Sequence, residues 1–115
     1  YILLDAIKRL SGSLPVICCG DFNSPDFSDP YNVLVNSGVL SDSYIVCPTP
    51  VNGEYTSIAS YRAKEDIPKN KNHIDHIFYT PQNSIILSWE LIINDYNGIY
   101  GSDHLPLCVE WKFSN

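Results

Sequence analysis

Three short apolar runs in this sequence each carry an aspartate at one end. Gly20-Asp21-Phe22-Asn23 follows the first run, Ile74-Asp75-His76-Ile77 lies in the second, and Ser102-Asp103-His104 comes just before the third. Runs of this length and composition are typical of β-strands, and a strand end can hold a side chain rigidly while exposing it. Convergence of these ends would bring together three carboxylates, an amide and an imidazole. That set suits metal-assisted attack on phosphate.

Length and composition predict one globular unit. The chain has 115 residues, of which 44% are hydrophobic, enough for one ordinary core. Its apolar stretches are strand-sized, whereas a transmembrane helix needs about 20 consecutive apolar residues, so no transmembrane segment is predicted. The sequence contains no Met, and its first residues lack the basic-then-apolar order of a signal peptide. The natural start is therefore predicted to lie upstream of Tyr1.

The charge of the chain disfavours nonspecific nucleic-acid binding. Its formal net charge is −6, and such binding depends on clustered Lys and Arg. The few cations gather in Arg62-Ala63-Lys64 and Lys69-Asn70-Lys71. This pattern is typical of a solvated loop, with a flexible basic loop beside an acidic centre as the alternative.

The cysteines favour a reducing, cytoplasmic interior. Cys18 and Cys19 are neighbours in an apolar run, where alternation would place them on opposite faces of a strand as small buried side chains. The sequence has no Cys-x-x-Cys or Cys/His spacing typical of a metal site. A disulfide between Cys47 and Cys108 and a secreted location both stay open.

Periodicity predicts two helices and four strands. Apolar residues three and four apart predict a helix over residues 1–10, ended by Gly12. Residues 15–19 are continuously apolar and predict a central buried strand. A second helix is predicted over residues 30–37, with Asp29 as its cap and Pro30 in its first turn.

The second half of the chain predicts a loop-like region followed by strands. Between Leu40 and Lys71 the pattern weakens, and Pro and Gly mark turns. Residues 74–79, 85–93 and 105–113 then favour three strands. Pro81-Gln82-Asn83 and Asn97-Gly98 supply the turns between them.

Each acidic motif has a structural alternative. Asp21 and Asn23 are common turn formers, and Ser102-Asp103-His104 fits a turn with a surface histidine equally well. A carboxylate such as Asp75 among apolar strand residues is costly unless it is paired or functional, which favours a functional role there. The histidines at positions 73 and 76 are interpreted as packing or loop contacts, with His76 on the face opposite Asp75 and His73 on the same face as Asp75.

In combination, the motifs resemble the endonuclease/exonuclease/phosphatase family of deoxyribonuclease-like enzymes. Gly-Asp-Phe-Asn, Ile-Asp-His-Ile-Phe and Ser-Asp-His-Leu-Pro occur in this order, and the resemblance extends over nearly the whole chain. Residues 97–104 look most like the metal-dependent hydrolase branch. The resemblance implies an α/β fold, a four-layer sandwich of two mixed β-sheets face to face flanked by helices. Residues 1–115 resemble the C-terminal half of that domain.

The resemblance also implies a role for each motif residue. Asp21 would polarise or deprotonate the attacking water, and Asn23 would donate a hydrogen bond to a phosphate oxygen. His104 would lie next to the scissile phosphate, with Asp75 as the carboxylate that orients it. Asp103 would lie beside the divalent ion, which is Mg²⁺ in most members, with Mn²⁺ as an alternative.

Three functions stay open. The favoured one is a Mg²⁺-dependent phosphoesterase that hydrolyses a phosphodiester or phosphomonoester by activated-water attack. The second is a nuclease on DNA or RNA, and the third is a non-catalytic remnant that serves as a binding or structural module. Residues 49–72 are expected to shape specificity, and the oligomeric state is not predicted.

The family pattern includes residues that this sequence lacks. A first half of comparable length normally brings a metal-binding Glu, an early Asn and another catalytic His or Tyr, and none of the glutamates at positions 54, 65, 90 and 110 lies in the matching motif. A polypeptide that began at Tyr1 would be expected to bind metal weakly, to hydrolyse little and to expose apolar sheet surface.

Overall fold

The computed structural model describes residues 1–58 and 72–113 of the chain. Helix α1 covers Ile2–Ser11 and confirms the first predicted helix. It is amphipathic, and it buries Leu4 and Ile7 while its charged residues stay exposed. Gly12 follows with φ 57°, a conformation that costs glycine little.

Helix α2 covers Asp29–Val35 and begins one residue earlier than predicted. Its N-cap position is Ser28, with Asp29 in the first turn, so the prediction of Asp29 as the cap was wrong. Pro30 lies in the first turn, where its missing N–H costs no hydrogen bond. Asp29 is not the N-cap residue, but its negative charge in the first turn still stabilises the N-terminus of α2.

A three-stranded sheet is formed by strands β1 (Ile17–Asp21), β2 (Ser41–Asp42) and β3 (Asp75–Tyr79). The order is β1-β3-β2, and both pairings are antiparallel. Strand β1 therefore lies at an edge of the sheet in the described part of the chain, and most of its residues are exposed. The predicted central, buried position is not seen within the described residues, where β3 is the strand that pairs with β1.

A second sheet pairs strands β4 (Ser84–Leu91) and β5 (Leu107–Phe113) in antiparallel register. Burial alternates along β4 until the register shifts between Ile86 and Ser88, an irregularity of the β-bulge type. This shift explains why the sequence alternates only in part. Val51 adds an isolated parallel bridge to Glu90 beside this antiparallel pair.

Helix α3 (Ser43–Val46) and strand β2 fall in the region that was predicted to be loop-like. Asp42 caps this short helix, because its side chain accepts a hydrogen bond from the backbone N–H of Tyr44. The part of the loop prediction that falls on residues 59–71, including the basic cluster at positions 62, 64, 69 and 71, lies outside the described residues.

Two apolar clusters hold these layers together. The first packs α1 and α2 against one face of the three-stranded sheet, with Phe78 and Tyr31 fully covered. The second lies between the two sheets, around Trp89, Leu91 and Tyr79. Phe78 and Tyr79 are neighbours on β3 and therefore point to opposite faces. The fold is thus α/β, with helices outside one sheet and a second sheet against its other face.

The cysteines differ from their prediction in one respect. All four are free thiols, so Cys47 and Cys108 form no disulfide, and Cys19 is exposed instead of buried. Cys19 lies on the edge strand β1, where no strand or helix covers it in the described residues. In the same part of the chain, no helix combines the length and the apolar character that crossing a bilayer requires.

Candidate active site

Asp21 and Asp75 face each other across two strands. They are cross-strand partners at the end of β1 and the start of β3. The N–H of Phe22 donates to the carbonyl of Ile74 at 2.9 Å, which makes Asp21 and Asp75 a non-hydrogen-bonded pair, the type whose side chains lie closest. Strand pairing thus brings together two carboxylates that are 54 positions apart in the sequence.

A segment around Thr56 brings His104 to these carboxylates. The N–H of Leu105 donates to the Thr56 carbonyl at 2.9 Å, and the N–H of Ile58 donates to the Asp103 carbonyl at 2.8 Å. The Thr56 hydroxyl accepts hydrogen bonds from the N–H groups of Ile74 and Asp75, both at 3.0 Å. Thr56 therefore fixes the start of β3 and the His104 loop to each other.

The His104 ring lies between two carboxylates. Its Nδ1 is 3.0 and 2.8 Å from the two carboxylate oxygens of Asp75, and its Nε2 is 3.9 Å from Oδ2 of Asp21. The first contact is a hydrogen bond, in which Nδ1–H donates to Asp75, and the second is too long to be one. About a third of the His104 side chain stays exposed (34%), so the ring is both oriented and accessible.

The surrounding charges favour the protonated form of His104. Its pKa is raised above the ordinary value, first because Asp75 accepts its hydrogen bond and then because the charges of Asp75, Asp21 and Asp103 add to this effect. Partial burial acts in the opposite direction and is outweighed. The carboxylates around His104 therefore favour its imidazolium form over the neutral ring.

Asn23 contacts Asp21 through its backbone. Its N–H donates to Asp21 Oδ1 at 2.8 Å, and its φ of 48° is left-handed, which Asn tolerates. The turn proposed as a structural alternative is therefore present. It is also compatible with a functional role, because the same turn holds Asp21 so that Oδ2 faces His104.

Asp103 lies beside the imidazole that it precedes, and its charge contributes to the raised pKa of His104. Asp103 and Asp21 offer carboxylate oxygens at a partly exposed edge, and this donor chemistry fits a hard divalent ion such as Mg²⁺, which retains several waters. The described residues also contain a group with metal-ligand spacing, formed by Asp26, His73 and His76.

Two features of this region were not predicted from the sequence. Thr56 belongs to no sequence motif. It fixes the start of β3 through hydrogen bonds with residues 18 or more positions away in the sequence. His76 lies on the face opposite Asp75 as predicted, whereas His73 stacks on His76 with 5.3 Å between ring centroids. His73 was expected on the side of Asp75, and this was wrong because the alternation of a strand does not extend to a residue before its first pairing.

Comparisons with known proteins show which family the chain belongs to. Residues 1–104 match the Endonuclease/Exonuclease/phosphatase family, and the chain belongs to that family. Its members are hydrolases that generally depend on a divalent metal, and they include phosphatases and nucleases. Among proteins with curated descriptions, no relative matches the chain.

Solved structures share the fold. The endonuclease/exonuclease/phosphatase from Bacteroides vulgatus is 28% identical, with a TM-score of 0.83, and the match covers 98% of this chain and 42% of that one. A mannosyl-6-phosphatase from Bacteroides thetaiotaomicron is 27% identical, with a TM-score of 0.81, over 97% of this chain and 43% of that one. The chain therefore spans about two fifths of these relatives.

The human Nocturnin catalytic domain with bound sulfate anion has a TM-score of 0.71 at 23% identity, over 97% of this chain and 38% of that domain. At this identity the likeness concerns the fold alone. The resemblance predicted from the three motifs is confirmed, and so is the α/β fold class that it implied.

Proposed function

We propose that this chain supplies one part of the active site of a Mg²⁺-dependent phosphoesterase, which hydrolyses a phosphate ester by attack of an activated water. The observation that carries the proposal is the His104 imidazole, held by Asp75 at Nδ1 and facing Asp21 at Nε2. A chain that covers about two fifths of its relatives leaves the other residues of such a site to the remainder of the domain.

His104 and Asp75 act as a unit in this proposal. Asp75 fixes the ring so that Nε2 faces Asp21, and it favours the imidazolium. A protonated Nε2 can donate a hydrogen bond to a phosphoryl oxygen as negative charge grows there. Without that cation the three carboxylates would repel the substrate.

In this proposal, Asp21 is the group that accepts a proton. Its Oδ1 is occupied by the N–H of Asn23, whereas Oδ2 faces the site. This oxygen would polarise or deprotonate the attacking water, and the Asn23 side-chain amide would donate to a phosphate oxygen. Asp103 would hold the Mg²⁺ ion, which when bound polarises the phosphoryl group and offsets carboxylate charge. Mn²⁺ is an alternative ion with similar ligand preferences.

The test uses the protein that carries this chain, with p-nitrophenyl phosphate, bis-p-nitrophenyl phosphate and a hexose 6-phosphate as probes and with Mg²⁺ present. We expect His104→Ala and Asp21→Asn each to lower turnover by about 10²-fold or more without loss of folding. Asp75→Asn should lower it less, because the imidazole stays in place. Asp5→Asn on the exposed face of α1 is the matched control. Unchanged turnover in His104→Ala would refute the role of His104.

The substrate class has two candidates. A phosphomonoester or small phosphodiester is favoured by the net charge of −6 and by the similarity to a mannosyl-6-phosphatase. A nuclease is the second candidate, because the family includes nucleases. RNA or DNA affinity that falls steeply with salt would favour the nuclease. Normal folding and Mg²⁺ binding without hydrolysis of any probe would favour a non-catalytic module.

A further inference from the structure

A second cluster of ionisable side chains lies close to the catalytic residues. Asp26, His73 and His76 place one ligand atom each within 4.8 Å of one another. Nδ1 of His73 is 3.0 Å from Oδ2 of Asp26, and Nδ1 of His76 is 3.6 Å from Oδ1. His73 and His76 are buried, with 8% and 1% of their side chains exposed. The carboxylate of Asp26 thus contacts both buried imidazoles.

Several polar atoms of this cluster lack hydrogen-bond partners. Oδ1 of Asp26 and Nδ1 of His76, which are 3.6 Å apart, are both buried without one. Nε2 of His73 also has none, but it is not the nitrogen that contacts Asp26. A buried polar atom without a partner costs about 1–3 kcal/mol, so an arrangement that leaves two of them next to each other indicates a missing partner. The next carboxylate oxygen, Oδ2 of Asp42, is 3.7 Å from His76 Nδ1 and accepts a hydrogen bond from Tyr31.

The hydrogen bond of His76 prepares its other nitrogen for a ligand. Nε2 is 2.8 Å from the carbonyl oxygen of Ser24, and a carbonyl can only accept, so Nε2 carries the proton. In the neutral ring Nδ1 then presents a lone pair. An imidazole whose second nitrogen donates to a backbone carbonyl is the usual arrangement of a metal-binding histidine.

We propose that Asp26, His73 and His76 bind a transition-metal ion, with Zn²⁺ as the best match, at a site separate from the hydrolytic centre. Two imidazole nitrogens and one carboxylate oxygen suit Zn²⁺ and not Mg²⁺, which prefers oxygen. Bonds of about 2.0–2.2 Å place tetrahedral ligands roughly 3.3–3.6 Å apart. Because the ligand atoms lie within 4.8 Å of one another, no separation would have to shorten by more than about 1.5 Å. Asp42 or water would complete the coordination.

The position of the site suggests a structural role. Asp26 belongs to the loop that follows Asp21 and Asn23, whereas His73 and His76 flank Asp75. An ion held by all three residues would therefore tie the loop after β1 to the start of β3. The two carboxylates that face His104 are carried by these same segments.

A proton is the competing occupant of His76 Nδ1. Burial lowers the pKa of His76, but its interactions with Asp42, the Ser24 carbonyl and Asp26 outweigh burial and raise it. An imidazolium would satisfy Nδ1 without any metal. The experiment must therefore separate a bound ion from a bound proton.

Co²⁺ titration of the metal-stripped protein separates them. We expect one equivalent to give the strong visible d–d absorption of a four-coordinate nitrogen and oxygen site, and excess Zn²⁺ to abolish it. Asp26→Asn and His76→Gln should each weaken Co²⁺ binding at least about tenfold. His104→Gln, which alters a histidine that also lies between carboxylates, is the matched control and should retain the band.

Circular dichroism verifies that each variant is folded. If His76→Gln does not fold, the near-isosteric variant Asp26→Asn alone tests the loss of Co²⁺ binding. Weak octahedral absorption lost in His104→Gln would assign the ion to the hydrolytic centre and overturn the proposal. A thiolate-to-cobalt charge-transfer band, or a wild-type protein that binds no Co²⁺ while His76 is doubly protonated by NMR, would also overturn it. None of these outcomes depends on the proposed hydrolysis.

Discussion

Replacement of Thr56 by Val tests whether one hydroxyl fixes the start of β3. Thr56 is fully buried, and its Oγ1 accepts the N–H groups of Ile74 and Asp75. Because Asp75 and Asp21 form a non-hydrogen-bonded pair, the Asp75 N–H points away from β1, and Thr56 is its partner in the described structure. Val has nearly the same shape as Thr, but its side chain cannot accept a hydrogen bond.

The magnitude follows from the two donors that Val would leave unpaired. Each buried N–H without a partner costs about 1–3 kcal/mol, or about 2–6 kcal/mol for both. Ile74 and Asp75 are only partly buried, so water can reach some of this backbone, and we expect a loss of about 2–4 kcal/mol. Thr56→Ser keeps the hydroxyl and removes one methyl group, which should cost about 1 kcal/mol.

Urea unfolding followed by circular dichroism measures the difference between the two variants. Thr56→Val should have the lower midpoint at an unchanged slope, although it removes less volume than Thr56→Ser. If Val were as stable as Ser, the two N–H groups would not depend on the hydroxyl, and the account of how β3 begins would be wrong.

Three further predictions concern the site, the core and a turn. NMR titration of the metal-free protein should place the His104 pKa above 6.5, and Asp75→Asn should lower it. Because the pKa of His104 is higher in the folded than in the unfolded protein, its protonation stabilises the folded state at pH values below the unfolded pKa. This stabilisation is lost as the pH rises through the folded pKa. Asp75→Asn should therefore lower the free energy of unfolding more in urea titrations at mildly acidic pH than in those at alkaline pH. Trp89→Ala should cost about 3–5 kcal/mol in the same assay, since the side chain is almost fully buried between the sheets. Gly98→Ala should destabilise by about 1 kcal/mol because Gly98 has φ 81°, whereas Gly101→Ala, with open space and no such φ, should change little. Equal effects of the two glycine substitutions would contradict the turn assignment.

The sequence predicts those elements whose pattern is local. Helix α1 has a complete apolar face and a glycine after its last turn, and its observed bounds differ from the prediction by one residue. The Asn97-Gly98 turn is similarly local, because both residues adopt positive φ and the N–H of Tyr96 donates to the Ile99 carbonyl. Such elements depend on residues within a few positions of one another, which a pattern can show.

Elements that depend on distant partners escaped prediction. Helix α3 has only four residues, too few for a periodic pattern, and it depends on Asp42 as its cap and on packing against β3 and β4. Strand β1 is apolar enough for a buried position, yet its exposure is decided by which strands pair with it. A sequence pattern shows the composition of a strand, whereas the burial of that strand depends on which other elements pack against it.

The same distinction applies to the site. Asp21, Asp75 and His104 were predicted to converge because each motif lies at a strand end, and the register of β1 with β3 makes the first two direct partners. Thr56 was missed because a buried hydroxyl that accepts backbone N–H groups leaves no periodic trace. The residues proposed to perform chemistry are therefore easier to find in this sequence than those that hold them in place, since chemistry restricts residue type and support restricts only geometry.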